Sequence, residues 1–313
     1  MLEKLNNKIQ NKLSNFNPWT NAYGFCRSLI GFSTLVTLLF NDISIFIRPV
    51  SGLEKYPFCT NNFSLFCLVP NDYLYFNLLK WMCILILFLV VIGWRPRFTG
   101  IPHYYILYSL QNAATAIDGG EQIGTVITLL LIPITLLDGR KWHWFNVPEK
   151  TEDVISVYKN VTIYCIWMAI RFQMSFVYIG AAITRLKNIE WKNGTALYYF
   201  FNDPMLGIPD GLKSILEPLL TSWFVIIPTW GTTIVELVLF AALFSSKKHW
   251  KYYLYLGITL HVGIALFLGL FSFSLTMIGC LILYLHPINK KITFNKKKLK
   301  NSNEKIQMKK FYN

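Results

Sequence analysis

Residues 252–286 read YYLYLGITLHVGIALFLGLFSFSLTMIGCLILYLH, 35 residues without a single Lys, Arg, Asp or Glu. One helix of that length would be about 52 Å long at 1.5 Å per residue, against a hydrocarbon core of about 30 Å. The stretch therefore reads as two spans with a break near Gly269–Ser274. Apolar blocks of membrane-spanning length recur through the rest of the 313 residues. The chain is 54% hydrophobic, 16% aromatic and only 15% charged, where a soluble domain carries about 25% charged residues. Mean hydropathy is +0.40. This balance excludes a disordered chain, a nucleic-acid-binding module and almost any soluble enzyme. It predicts an all-α fold, a polytopic transmembrane helix bundle in contact with the lipid bilayer.

Working back from the last pair, six more spans fall at about 24–41, 74–94, 101–117, 121–138, 160–184 and 222–244, eight in all. The net charge of +14 is unevenly spread. Residues 290–313 hold nine Lys against Glu304, and residues 1–20 hold Lys4, Lys8 and Lys12 against Glu3. Arg95 and Arg97 follow the second span, and Lys247 and Lys248 follow the sixth. With eight spans every basic cluster falls on one side, which the positive-inside rule makes cytoplasmic, together with both termini. Three segments follow: an amphipathic cytoplasmic arm (1–20), a transmembrane domain (21–288) and a basic tail (289–313). Leu2, Leu5, Ile9, Leu13 and Phe16 share one face of the arm, so it can lie on the inner leaflet. The outer segment 185–221 contains Pro204, Gly207, Pro209 and Gly211 and is not expected to be one continuous helix.

Cys59 and Cys67 share the loop placed outside. A disulfide between them is expected in an oxidising compartment; two free thiols would suit an inward-facing loop. The five His residues show no metal-ligand spacing, and no nucleic-acid partner is implied. Four ionisable residues fall at membrane depth, where charge is costly and marks function by default: Arg27, Arg171, Glu236 and His261. Arg27, near the start of the first span, is expected to snorkel to the interface. Arg171, Ser175, Tyr178 and Arg185 form one polar stripe on span 5. Glu236 is the expected counter-ion of Arg171 or proton acceptor for His261, which is flanked at steps of four by Gly257, Ala265 and Gly269. The cluster reads either as a buried network that fixes packing or as a catalytic or ligand-binding cavity opening outward.

The order Arg171-Phe-Gln-Met-Ser-Phe-Val-Tyr178-Ile-Gly180, then Arg185-Leu186, then Trp191-Lys-Asn-Gly194-Thr-Ala-Leu-Tyr198-Tyr199 resembles the HTTM membrane domain shared with vitamin K-dependent γ-carboxylase. The run from Arg27 to Asn41 and the Asp118-Gly-Gly turn resemble its small bacterial branch, the sporulation-delaying protein B (SdpB) family. The resemblance covers roughly residues 20–286. It implies a role in maturing a secreted antimicrobial peptide toxin in the bacterial cell membrane. The partners it implies are the toxin precursor and an SdpA-like protein. It also implies Arg171, Arg185, Lys187, Glu236 and His261 as candidate catalytic residues and Tyr178, Trp191, Gly194 and Tyr198 as binding residues. Where the carboxylase places a Lys base before the Leu, this chain has Arg185, which stays protonated and cannot act as a general base. Lys187 stands two residues on. No cofactor is named by these residues. Two other readings stay open: an HTTM-type enzyme acting on a quinone-like or lipid substrate, and a transporter or immunity protein without covalent chemistry.

Overall fold

Thr20 opens the first long helix by accepting a hydrogen bond from the Ala22 amide on its side chain. Asp72 and Asp118 cap the second and fourth helices in the same way, through the amides of Leu74 and Glu121. Each cap satisfies an amide that the first helical turn leaves without a partner. The computed structural model describes residues 17–292 except 51, 53–54, 60–62, 146–153, 205–206 and 209. Most of the amphipathic arm and nearly all of the basic tail lie outside the described residues, as does Pro209.

Eight long helices follow one another among the described residues: α1 (Asn21–Phe40), α2 (Tyr73–Val91), α3 (Pro96–Ala113), α4 (Gly119–Leu137), α5 (Val154–Lys187), α6 (Ile226–Ala241), α7 (Trp250–Leu268) and α8 (Phe271–Leu285). Six are long and apolar enough to cross a membrane: α1, α2, α4, α5, α7, and α6 with its flanking turns. Leu74, Leu78, Leu85 and Phe88 of α2 and Tyr255 and Leu266 of α7 point outward. Such a girdle suits lipid rather than water. The chain is a multi-pass membrane protein.

The break in the 252–286 stretch occurs at Gly269, in the left-handed conformation (φ 68°) that ends α7. Gly269 is thus a helix terminator rather than part of the small-residue seam. Gly257 does serve that seam, since a Cβ there would lie 2.8 Å from Leu281. α8 has only 15 residues, about 22 Å, shorter than the hydrocarbon core. It is enclosed by α1, α4, α5 and α7 from Ser274 onward.

The helices alternate in direction and give the bundle two ends. The basic end carries Arg95, Arg97, Lys247 and Lys248. There the Arg95 amide donates to the Lys141 carbonyl, and the Thr20 hydroxyl donates to the Ile288 carbonyl. The opposite end carries the loop in which Cys59 and Cys67 are joined by a disulfide, with Cα atoms 6.0 Å apart. It also carries the segment between α5 and α6, which folds into short helices at Ile189–Lys192, Ala196–Asn202 and Asp210–Leu220. These three pieces form a cap over α5–α7.

Candidate functional site

Residues 14 apart on a helix lie nearly four full turns apart, about 21 Å along one face. Arg171 and Arg185 stand in that relation on α5, so only one of them can be level with a given residue of α6. The structure gives Glu236 to Arg185, at 2.9 Å between Nη2 and Oε1. The pairing of Arg171 with Glu236 expected from the sequence is not formed. The reason is that separation: with Arg185 level with Glu236, Arg171 falls level with Trp250, at the start of α7, and Tyr284, at the end of α8. The Arg171 guanidinium lies 4.0 Å from the Trp250 ring centroid and 5.5 Å from that of Trp167, and its Nε donates to the Tyr284 carbonyl at 3.0 Å. Arg171 therefore belongs to an aromatic cage near the basic end, not to the cluster around Glu236.

That cluster lies nearer the cap. His261 of α7 and Tyr178 of α5 share a hydrogen bond of 3.3 Å between the phenol oxygen and Nε2. The side chain of Glu236 is 7% exposed and that of Arg185 21% exposed. Trp191 of the cap lies over the Arg185 guanidinium, 4.3 Å from ring centroid to Cζ. Three buried polar atoms here have no partner among the described residues: Arg185 Nη1, Glu236 Oε2 and His261 Nδ1. Buried polar atoms are normally satisfied, so the arrangement has unused capacity for a guest, with a carboxylate acceptor and guanidinium donors side by side.

The other expected binding residues lie on the cap. Gly194 has φ 76°, and a Cβ there would come 2.9 Å from Ile226 Cγ1. Both the backbone conformation and the seating of the cap on α6 therefore require glycine. Tyr198 lines a recess of about 350 Å³ with Thr195 and Trp223, and Trp191 lines a second of about 390 Å³. Tyr199 belongs to both. Lys187 is exposed at the end of α5.

Arg27 does not snorkel. It is 0% exposed and turned inward, with Nη2 donating to Thr99 Oγ1 at 2.7 Å. Among the buried ionisable residues that the sequence reading passed over are Lys80 and Glu121. Lys80, a charge inside the second apolar block, donates to the Asn41 carbonyl that closes α1, at 2.8 Å. Glu121, three residues after the Asp118 cap, accepts from Thr34 Oγ1 at 2.9 Å. The lone Lys within residues 74–94 was a readable signal. Glu121 was hidden because Asp118-Gly119-Gly120-Glu121 reads as an acidic turn on the outer side.

Two curated proteins of Bacillus subtilis (strain 168) are similar to the chain along almost its whole length. Sporulation-delaying protein SdpB is 44% identical over 294 residues, covering 93% of this chain and 89% of its own. The chain belongs to the SdpB family. A second relative, uncharacterized protein YitO, is 47% identical over 294 residues, 94% of each chain. No protein-family model matches this SdpB-family member, and no solved structure does.

Proposed function

We propose that this protein matures a secreted antimicrobial peptide toxin at the bacterial cell membrane. It acts with an SdpA-like partner, and its working site is the Arg185–Glu236 and Tyr178–His261 cluster beneath the cap. The observation that carries the reading is membership of the SdpB family across nearly the whole chain. In this reading residues 21–288 form an HTTM-like domain, both termini are cytoplasmic and the cap faces outward. The cluster is then reachable by a peptide arriving from outside. Arg185 and Glu236 bind polar groups of the peptide, Trp191, Gly194 and Tyr198 shape the approach, and Lys187 lies at its rim. Arg185 stays cationic and positions charge rather than removing a proton. Proton transfer, where the maturation step needs it, falls to Glu236 and His261. Arg171 supports α5 from below.

Mass spectrometry of peptides secreted with and without the protein tests this. One peptide that changes in mass or processing only when the protein is present supports the reading. An unchanged set of peptides with altered sensitivity to the toxin makes the protein an immunity factor and overturns it.

A further inference from the structure

Arg27 poses a problem that its neighbours do not solve. It lies six residues into α1, about 9 Å from the helix start, and is 0% exposed. A guanidinium stays charged in proteins, so burial cannot be relieved by losing the proton, as it can for a buried carboxylate. Its Nη2 donates to Thr99 Oγ1, while Nε and Nη1 have no partner among the described residues. No carboxylate among the described residues pairs with it either. Asp138 is close enough to act on its charge, yet both Asp138 oxygens are held by Arg140, at 2.8 and 2.7 Å.

Two imidazoles close the surroundings. His103 stands one turn beyond Thr99 on α3, is 2% exposed and has an unpartnered Nε2. A Cβ on Gly31, one turn along α1 from Arg27, would lie 3.5 Å from that nitrogen. His143, in the segment after α4, is fully buried, with its Nε2 against Ser28 Oγ at 3.1 Å and its Nδ1 unpartnered. Burial first, then the cations of Arg27 and Arg140, hold the His143 imidazole at about 2, so it adds no charge. With the Asp138–Arg140 pair neutral, one positive charge is left over in an enclosed place. Water could fill the empty donors but would not balance the charge. Buried charges in proteins are paired.

We infer that the space beside Arg27, between α1, α3 and the His143 segment, holds a small monovalent anion of chloride size. The site is separate from the cluster under the cap and does not depend on the function proposed for it. It locks α1 to α3 at the basic end. The single surplus charge sets the selectivity: monovalent chloride and bromide balance it, while divalent sulfate would leave an excess negative charge and gluconate is a far bulkier, strongly hydrated ion.

Thermal unfolding of the purified full-length protein in detergent tests this at constant ionic strength. Exchanging gluconate for chloride or bromide should raise the midpoint by about 3 °C or more. Sulfate should leave it at the gluconate value. Arg27→Gln should remove the chloride dependence. Should that variant fail to accumulate, crystals grown in bromide should show anomalous signal beside the wild-type Arg27 guanidinium. Equal midpoints in chloride and gluconate overturn the site. A sulfate effect as large as that of chloride, or a chloride effect that survives Arg27→Gln, places anion binding elsewhere, such as on the basic tail, and overturns it equally.

Discussion

Arg185, not Arg171, is the cation that reaches Glu236, at 2.9 Å. The two arginines share a face of α5 but stand about 21 Å apart along it, and they answer to different surroundings. Arg185 meets a carboxylate beneath an indole and keeps 21% of its side chain exposed. Arg171 meets carbonyl oxygen and three aromatic rings and is almost fully enclosed. Substitutions at the two positions should therefore separate function from stability.

Glu236→Gln keeps the shape of the side chain and removes its charge. Because Arg185 is partly exposed and stacks on Trp191 of the cap, the variant protein should accumulate in the membrane at near wild-type level. Peptide maturation, followed by mass spectrometry, should fall by at least about tenfold if the pair belongs to the working site. Undiminished maturation would remove the Arg185–Glu236 pair from the site.

Arg171→Lys should behave in the opposite way. Lys keeps the charge but loses the flat face that stacks on Trp250 and the Nε donor to Tyr284. A desolvated cation–π contact contributes about 2 kcal/mol, so a loss of about 1–2 kcal/mol in unfolding free energy is expected. Maturation per folded molecule should not change. A variant of normal stability with lost activity would show that Arg171 acts in the chemistry.

The Cys59–Cys67 bridge makes a prediction about sidedness. A membrane-impermeant thiol reagent applied to intact cells should label neither residue until a reductant is added, and then both. Labelling that needs permeabilised cells would put this loop, and the cap with it, on the cytoplasmic side.

The basic clusters predict the other side. A reporter that works only in the cytoplasm, fused after Asn313, should be active, and one that works only after export should be silent. The reverse result would invert the bundle and close the cap to any secreted peptide.

Hydropathy and local chemistry determined much of this protein from sequence alone. The uncharged run 252–286 required a break, and Gly269, free to take φ 68°, supplied it. Gly194, Pro204 and Gly207 fall between the short helices of the cap, and the period of α5 put Arg171, Ser175, Tyr178 and Arg185 on one stripe. These are properties of neighbouring residues, set by helix pitch and by the cost of placing charge in hydrocarbon. Tertiary structure alone decided which members of the stripe meet which partners. Axial level between helices depends on where each one starts, how it tilts and what packs beside it, and none of these is written locally. The packing of α5 against α6 and α7 brought Arg185 to Glu236 and left Arg171 in the Trp250 cage. Arg27 turned inward for a similar reason. From sequence it stood near an interface it could reach, but α3 and the His143 segment close over it, through contacts between residues 72 positions apart (Arg27–Thr99) and 115 apart (Ser28–His143).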